Sequence, residues 1–328
     1  MAQPIYAQMN TLVRVKETKL LTRAQKLPLI HAADLDSAVR LLHEAGFFAF
    51  SAPASPSDFP SALTLEKKGW IAWAQELCPE KNIPALFMLK DTVSLLRELL
   101  RQRLTGAEAG LMDEALSIYA PEDLKRLVND PASEAKAIPE RWSKLVREIT
   151  ADYAVHASFQ LAEYSLDRFY YQELLHIASE LNEPDILAFI NTAVDLYHLS
   201  VLFQCRKMGI RVPAQVLISA EGRPSDLGGL FGMTEQEQDA FLRASRFASF
   251  WEALTPQESL ALLDVYADNY LLVLCKKAKL EAFGLLPVCG FLFSKLMEIR
   301  DVRAILSGKL WKLPVNEIEK RVRISYEL

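Results

Sequence analysis

Apolar residues recur at helical spacing along almost all of the 328 residues, and this periodicity is the feature that most limits how the chain can fold. Segments such as "TLVRVKETKLL", "DLDSAVRLLHEAGF" and "FYYQELLHIASEL" show the pattern. Alternating strand patterns are nearly absent. Only residues 211–219, "RVPAQVLIS", are typical of a short strand or an ordered loop. The sequence therefore predicts an all-α fold of a dozen or more helices.

One helix design occurs three times. Each copy starts at an Asp, has Leu four residues later, continues with apolar residues at helical spacing, and ends in basic residues and a Gly. The copies cover residues 91–106, 195–209 and 268–284, so the step from Asp to Gly is 15, 14 and 16 residues. Cations in the last turn face the negative end of the helix dipole, and Gly closes a helix in the left-handed conformation. The constant layout indicates an internal repeat.

The Asp of each copy needs its own explanation. The apolar pattern already runs before Asp91, Asp195 and Asp268, which places them inside helices, where Asp is a poor helix former. A carboxylate on a mostly apolar helix requires a hydrogen-bonding or basic partner on a neighbouring element. We interpret the three residues as structural ties of the repeat. A contact surface is the alternative interpretation.

Segments rich in Pro, Ser, Ala and Gly interrupt the helical pattern at residues 51–61, 129–139 and 220–229. The last two lie between copies of the Asp helix. They predict three helical units, at residues 1–130, 131–222 and 223–328. The amphipathic helices near the two ends of the chain resemble each other, which predicts that the third unit closes against the first in a ring or funnel.

Composition excludes several classes of protein. Hydrophobic residues make up 51% and charged residues 24%, which is typical of a globular chain. The formal net charge of −5 argues against a nucleic-acid binder, which would need a basic face. The four cysteines, at positions 78, 205, 275 and 289, show no spacing typical of a disulfide framework or a zinc site, and they fit a reducing compartment.

No membrane span or signal peptide is predicted. The first residues lack the continuous apolar core of a signal peptide. One of the longest uncharged, mostly apolar stretches, Ala282–Ser294, has 13 residues and contains Pro287, so it is too short to cross a bilayer. We expect a soluble, cytoplasmic protein that could still sit on a membrane complex.

Motifs with a known chemistry are weak or missing. Gly308 and Lys309 do not form a phosphate loop, because the upstream Gly is missing and Leu310 replaces the residue that would hold Mg²⁺. Two carboxylate–His pairs at i, i+3 could belong to a di-iron helical bundle, but two further carboxylates would be required; these residues are Glu173, His176, Asp195 and His198. The charge runs at residues 276–279 and 300–303 are interpreted as solvated helix faces and as places where a partner could bind.

The order of several segments resembles the C subunit of the bacterial and archaeal V/A-type ATPase, the counterpart of the d subunit of the vacuolar proton pump. These segments are the repeated Asp helix, the opening "YAQMNTLVRVKETKLL" with "DLDSAVRLLHEAGF", and the ending "GFLFSKLMEIRDVRAILSGK". The likeness runs from about Tyr6 to Tyr326. It is strongest near the end, where the following residues fall at positions typical of the family: Lys295, Glu298, Ile299, Arg303, Ile305, Leu306, Gly308 and Lys309.

The resemblance implies three similar helical units arranged as a funnel with pseudo-threefold symmetry. It implies a non-catalytic socket between the rotating shaft and the membrane rotor ring, with D- and F-type shaft subunits and the ring as partners. No cofactor, metal, nucleic acid or direct membrane span is expected, and the place would be the cytoplasmic face of the membrane. The candidate repeat or interface residues are Asp91, Asp195, Asp268, Glu298, Arg303 and Lys309.

The middle unit departs from the family pattern. His198 and Gln204 stand where the family commonly has Asn and Arg, and "SAEGRP" replaces a frequent Pro-Gly-Gly turn. Two other functions stay open: a helical-repeat scaffold of another complex and, less favoured, a helical metalloenzyme. The sequence leaves open whether H⁺ or Na⁺ is the transported ion.

Overall fold

The computed structural model describes residues 5–77, 82–108, 116–131, 138–213, 216–218, 227, 229–254 and 260–327, with side chains from residue 8 onward. Within these ranges the chain forms α-helices and short 3₁₀ turns and has no strand, so the predicted all-α fold is confirmed. The described part of the segment 211–219 is irregular apart from a single 3₁₀ residue. The helices are α1 Ile5–Glu17, α2 Arg23–His31, α3 Leu35–Glu44, α4 Phe59–Leu77, α5 Ile83–Thr105, α6 Pro121–Asn129, α7 Glu140–His156, α8 Phe159–Glu180, α9 Pro184–Met208, α10 Glu235–Ala244, α11 Ala248–Leu254, α12 Leu263–Lys277, α13 Leu286–Leu310 and α14 Val315–Glu319.

The repeated Asp helices are α5, α9 and α12, and in each of them the Asp lies inside the helix, as predicted. In the first two copies the Gly directly follows the helix end. Gly106 has a φ of 69° and Gly209 a φ of 65°, the left-handed conformation that the sequence predicts. The first two copies therefore begin and end as the sequence indicates.

The third copy is different, because α12 ends at Lys277, before the predicted end at Gly284. A 3₁₀ turn and a loop follow, and α1 holds them. The Asn10 amide donates to two loop carbonyls at 3.0 and 3.3 Å, and the Arg14 guanidinium donates to two more at 2.8 and 2.7 Å. Because these side chains satisfy carbonyls between residues 278 and 284, the chain leaves the helix early. The predicted helix end was wrong here.

The contacts divide the chain into two compact units. The first unit contains Met1–Ile83, Glu183–Gln204 and Asp226–Leu328, and the second contains Pro84–Asn182 and Cys205–Ser225. These boundaries are discontinuous along the chain and differ from those of the three predicted units. The division at 1–130, 131–222 and 223–328 stays a prediction.

Helix α13 forms the core of the first unit. Most of its residues are buried, and it packs against α1, α3, α4, α12 and α14. Phe291 has no exposed surface and meets the rings of Trp70 and Trp73 edge-on at 5.5 and 5.4 Å. Pro287 stands in the first turn of the helix, where its missing N–H costs no hydrogen bond. The first unit is therefore built around one buried helix.

The second unit has its own core between α7 and α8. Trp142 of α7 has no exposed surface, and its ring contacts Tyr119 and Phe169 edge-on at 5.2 and 4.9 Å. Two ion pairs join α5 to α8. Arg97 of α5 donates to Asp167 of α8 at 2.5 Å. The second pair, Arg101 with Glu163, is more exposed and spans 3.1 Å.

Helix α9 is long and apolar enough to cross a membrane, by length and composition alone. The search for long uncharged stretches in the sequence does not find this helix, because Asp195 interrupts its apolar residues. More than half of its most apolar stretch is buried within the structure, and Asp195 itself has no exposed surface. A buried core helix has the same properties, so this composition is weak evidence for a span.

The crossing of α13 and α14 depends on a glycine. A Cβ atom at Gly308 would lie 2.6 Å from Ile318 Cγ1, and Ile318 is fully buried. We expect Gly308→Ala to lower the free energy of unfolding by about 1 to 3 kcal/mol, because the new methyl group overpacks this contact. Urea unfolding measures the change. Gly232→Ala is the matched control, since nothing lies within 4 Å of its added Cβ atom; equal losses in both variants would contradict the packing explanation.

Candidate functional site

A network of buried charges joins α13 to both ends of the chain. At its centre is Asp301 of α13, which is 1% exposed. Lys26 of α2 donates to Asp301 Oδ2 at 2.6 Å. The backbone N–H of Arg323 and its guanidinium donate to Asp301 Oδ1 at 3.0 and 3.3 Å. One carboxylate therefore holds two cations that come from opposite ends of the sequence.

Arg323 extends the network to α12. Its Nε donates to Asp268 Oδ2 at 2.7 Å, and Arg300 Nη1 reaches the same oxygen at 3.3 Å. We call Lys26, Asp268, Arg300, Asp301 and Arg323 the α13 ion cluster. Asp268 is the repeated Asp of the third copy, and it has the basic partner that a buried carboxylate requires.

Burial opposes charge throughout the cluster, and pairing offsets it. Burial raises the pKa of the Asp301 carboxyl above its ordinary value, while Lys26 and Arg323 act in the opposite direction. Burial alone would lower the pKa of Arg323. The carboxylates of Asp268 and Asp301 outweigh that effect and raise it. The cluster is stable in its charged form only while its members remain together.

A second buried pair lies one turn earlier on α13. Lys295 and Glu298 are 2% and 3% exposed, and the Lys295 ammonium donates to the Glu298 carboxylate. The other oxygen of Glu298 accepts the backbone N–H of Leu21. The ammonium also lies 4.4 Å from the ring centre of Phe47. Glu298, a predicted interface candidate, thus fixes the chain between α1 and α2 to α13.

The last residues complete these ties. We call residues 321–327 the C-terminal strap. Within it, Ile324 N–H donates to Asn269 Oδ1 at 2.9 Å, and the buried hydroxyl of Tyr326 donates to the Cys275 carbonyl at 3.0 Å. Glu327 accepts the backbone N–H of Arg23 at 2.5 Å. The strap therefore fastens α12 to the N-terminal helices as well as to α13.

Asp195, the repeated Asp of the middle copy, also faces an arginine. Arg246 Nη2 donates to Asp195 Oδ2 at 3.0 Å, and Nη1 reaches Thr192 Oγ1 at 3.3 Å. In both Asp195–Arg246 and Asp268–Arg323, the Asp lies inside a long helix and the Arg comes from an irregular segment 51 or 55 residues later. The two ties have the same design.

We expect Asp195→Ala to lower the melting temperature and to cost about 1 to 2 kcal/mol of unfolding free energy. The loss is moderate because the Arg246 side chain is 45% exposed, so water can solvate it after the carboxylate is removed. Thermal unfolding followed by circular dichroism measures the change. Asp195→Asn, which keeps an acceptor oxygen, should lose less. An unchanged melting temperature for Asp195→Ala would contradict the interpretation of this residue as a structural tie, and the surface-contact alternative is not compatible with its full burial.

The other predicted site residues have different surroundings. Asp91 is half-buried on α5. Arg303 is exposed, and its guanidinium reaches the Pro60 carbonyl at 3.5 Å. Lys309 donates to the Ile30 carbonyl at 2.5 Å, which joins the end of α13 to α2. Their role as repeat or interface residues stays a prediction.

The carboxylate–His pairs do not form a metal centre in the part of the chain that the structure describes, where no group of three or more His, Cys, Asp and Glu side chains could hold a metal ion. Glu173 instead accepts hydrogen bonds from Arg141 and from the Trp142 indole. His176 lies 3.3 Å from Glu180. His198 contacts the ring of Tyr197 at a tilted angle and the ring of Phe231 edge-on, with ring centres 5.8 and 5.9 Å apart.

Most of the ion cluster was missed from the sequence. The run at residues 300–303 was interpreted as a solvated face, and this was wrong for Asp301, which is buried. The available signal is the apolar residues beside Asp301 on the same helix, such as Met297 and Ile305, whereas Arg303 lies on the exposed side. Nothing in the sequence around Lys26 or Arg323 indicates that they pair with Asp301, because Asp301 lies 275 residues from Lys26 and 22 residues from Arg323, on another element.

Comparison with known proteins identifies a family that matches nearly the whole chain. Residues 9–321 match the family described as ATP synthase (C/AC39) subunit. The chain is 23% identical over 330 residues to the C subunit of the V-type sodium ATPase of Enterococcus hirae, covering 98% of this chain and 99% of that protein.

Two archaeal proteins are also similar. The C subunit of the A-type ATP synthase of Methanocaldococcus jannaschii is 24% identical over 354 residues, with 95% of this chain and 85% of that protein covered. The corresponding A-type ATP synthase protein of Archaeoglobus fulgidus is 24% identical over 173 residues, which is 49% of this chain and 48% of that protein.

Proposed function

Because the chain belongs to the ATP synthase (C/AC39) subunit family, we propose that it is the socket that couples the rotating shaft of a V/A-type ATPase to its membrane rotor ring. The family is one of non-catalytic subunits, so ATP hydrolysis takes place in other subunits of the complex. In this proposal the chain holds the tip of the D- and F-type shaft subunits on one side and rests on the ring on the other. Rotation of the shaft then turns the ring, and ion transport follows.

The observation that carries the proposal is the match of nearly the whole chain to the family, in a body whose central helix is fixed by buried ion pairs. A part that transmits torque must not deform under load. Buried pairs resist displacement more than surface pairs do, because separating them leaves uncompensated charge in a low dielectric. The α13 ion cluster and the C-terminal strap supply this resistance in the first unit.

The three-unit funnel belongs to the same proposal. Its support is that Asp195 and Asp268, on helices that the sequence places in the second and third units, are each held by an Arg; Arg246 and Arg323 both come from the predicted third unit. Electron cryomicroscopy of the assembled complex tests the arrangement. A body without threefold similarity would contradict it.

The proposed place is the cytoplasmic face of the membrane, as a peripheral part of the complex. The relatives are subunits of a V-type sodium ATPase and of A-type ATP synthases, and membership in such a complex implies association with a membrane assembly. Fractionation of cell membranes, followed by a wash that removes the shaft, tests whether the chain leaves the membrane with it.

The deciding experiment is a titration of the purified chain against the purified D–F shaft of the same source. We expect a one-to-one complex that forms below micromolar concentration. A companion assay deletes the chain from the assembled complex and should abolish ion transport while ATP hydrolysis persists. Absence of binding, together with normal coupling after deletion, would contradict the socket and favour a helical scaffold for another complex, which an unbiased pull-down would then identify.

A further inference from the structure

The C-terminal strap is bound to the first unit in the way that a peptide ligand is bound. Residues 322–325 have no regular secondary structure. Four helices, α1, α2, α12 and α13, each form a hydrogen bond with the strap. We call the surface of these helices that contacts residues 321–327 the strap groove. All four helices belong to the first unit, so the groove lies within one compact body.

Side chains of the strap groove bind the backbone of the strap. The N–H of Arg323 donates to Asp301 Oδ1 at 3.0 Å, and the N–H of Ile324 donates to Asn269 Oδ1 at 2.9 Å. These bonds do not depend on which side chains the bound segment carries. Peptide-binding proteins commonly combine main-chain hydrogen bonds, which supply affinity, with pockets for particular side chains, which supply specificity.

The first pocket of the groove is acidic and holds Arg323. The guanidinium donates to Asp268 Oδ2 at 2.7 Å and to Asp301 Oδ1 at 3.3 Å, and only 9% of the side chain is exposed. Two carboxylates on different helices thus bind one planar, forked cation. A lysine ammonium lacks this fork, so the pocket favours arginine.

The second pocket holds Tyr326, which is 6% exposed. Its hydroxyl donates to the Cys275 carbonyl at 3.0 Å, and the Lys279 ammonium lies 4.3 Å from the centre of its ring. Ile324 lies between the two anchors in the sequence, and its side chain is 38% exposed. The groove therefore recognises an Arg and a Tyr that are three residues apart.

The acidic pocket keeps its charge balance when the strap is absent. Asp301 is also paired with Lys26 at 2.6 Å, and Asp268 is also paired with Arg300 at 3.3 Å. Departure of Arg323 leaves each carboxylate with a cation, and the released guanidinium is hydrated by water. Removing Asp301 instead would leave Lys26 buried without its partner. The link at residues 319–321 is exposed, so the strap is joined to the body by a segment at the surface.

We propose that the strap groove is a peptide-binding site with an exchangeable occupant. In the closed chain it holds the chain's own residues 321–327. In trans it accepts a peptide segment that carries Arg and Tyr three residues apart, and this exchange frees the chain's own C-terminal residues. The contacts that carry the inference lie within the first unit, so it does not depend on the socket function.

Hydrogen exchange of the intact chain is the first test. After correction for intrinsic rates, the Ile324 N–H should exchange at least about a hundredfold faster than the N–H groups in the middle of α13, because the strap opens without unfolding of the first unit. Equal rates would mean that the strap leaves only when the whole unit unfolds, and this result would overturn the inference.

The second test turns the strap into a separate peptide. A recognition sequence for a site-specific protease is inserted between Lys320 and Arg321 of the full chain, which is cut after folding. A fluorescent peptide with the sequence of residues 321–328, RVRISYEL, should then replace the cut strap, as measured by fluorescence anisotropy. The circular dichroism spectrum should stay unchanged. Loss of the helical signal on cutting, or absence of peptide binding, would contradict a preformed groove.

Variants of the peptide test the two anchors without changing the folded body. Arg323→Ala and Tyr326→Ala should each weaken peptide binding by at least about tenfold, because each removes a buried anchor and its hydrogen bonds. Ile324→Ala is the matched control, since this side chain is exposed and its N–H is retained; it should change binding by less than about twofold. Equal binding of a peptide with the same residues in scrambled order would indicate unspecific charge attraction and overturn the inference.

Discussion

Asp301→Asn should lower the free energy of unfolding by about 3 to 5 kcal/mol, the largest effect that we expect from a single change in the first unit. The amide has nearly the same shape as the carboxylate but no charge. Lys26 then remains buried without its carboxylate partner, and Arg323 keeps only the carboxylate of Asp268. Urea unfolding measures the loss, and hydrogen exchange should show that α13 and the C-terminal strap lose protection together.

Glu317→Gln provides the matched control for this result. It makes the same chemical change at an ion pair with Lys320, at 2.9 Å, in which the two side chains are 42% and 55% exposed. Water replaces such a partner easily, so no resolvable change in the unfolding midpoint is expected. Similar midpoints for Asp301→Asn and the unaltered chain would mean that the α13 ion cluster does not stabilise the fold.

Trp142→Ala should cost about 3 to 5 kcal/mol in the second unit. The indole has no exposed surface, and its removal leaves a cavity beside Tyr119 and Phe169. It also takes away the N–H that donates to Glu173 at 3.2 Å, so that carboxylate keeps fewer donors in a buried place. Urea unfolding and near-ultraviolet circular dichroism measure the loss of stability and of ring packing.

Trp311→Ala is the control for Trp142→Ala, since the same substitution is made at a ring that is 75% exposed. It should change the unfolding free energy by less than about 0.5 kcal/mol. Comparable losses at the two positions would contradict the assignment of Trp142 as the centre of the second core.

Local patterns in the sequence predicted the helices and their ends well. The apolar periodicity predicted the all-α fold, and the glycines after α5 and α9 have the left-handed conformation expected of them. These features depend on residues within a few positions of each other. The end of α12 could not be predicted in the same way, because Asn10 and Arg14 determine it from more than 260 residues away.

The candidate site shows the same limit. The sequence singled out Asp195 and Asp268, because a carboxylate inside an apolar helix is locally unusual. It did not identify Arg246 and Arg323, which lie 51 and 55 residues further on, in segments without periodicity. Pairing of buried charges is decided by tertiary packing, and one sequence carries no local trace of which cation will meet which carboxylate.

The discontinuity of the first unit has a consequence for how the chain folds as it is made. Lys26 and Asp301 are 275 residues apart, and α1 to α4 leave the ribosome long before the helix that covers them. Helices α5 to α8 belong to the second unit, whose residues 84–182 and 205–225 are all synthesised before α13. Until α13 is made, Phe47 and Trp70 lack the helix that buries them, so the nascent N-terminal region exposes apolar side chains. We therefore expect the segment synthesised first to be among the last to reach its native packing.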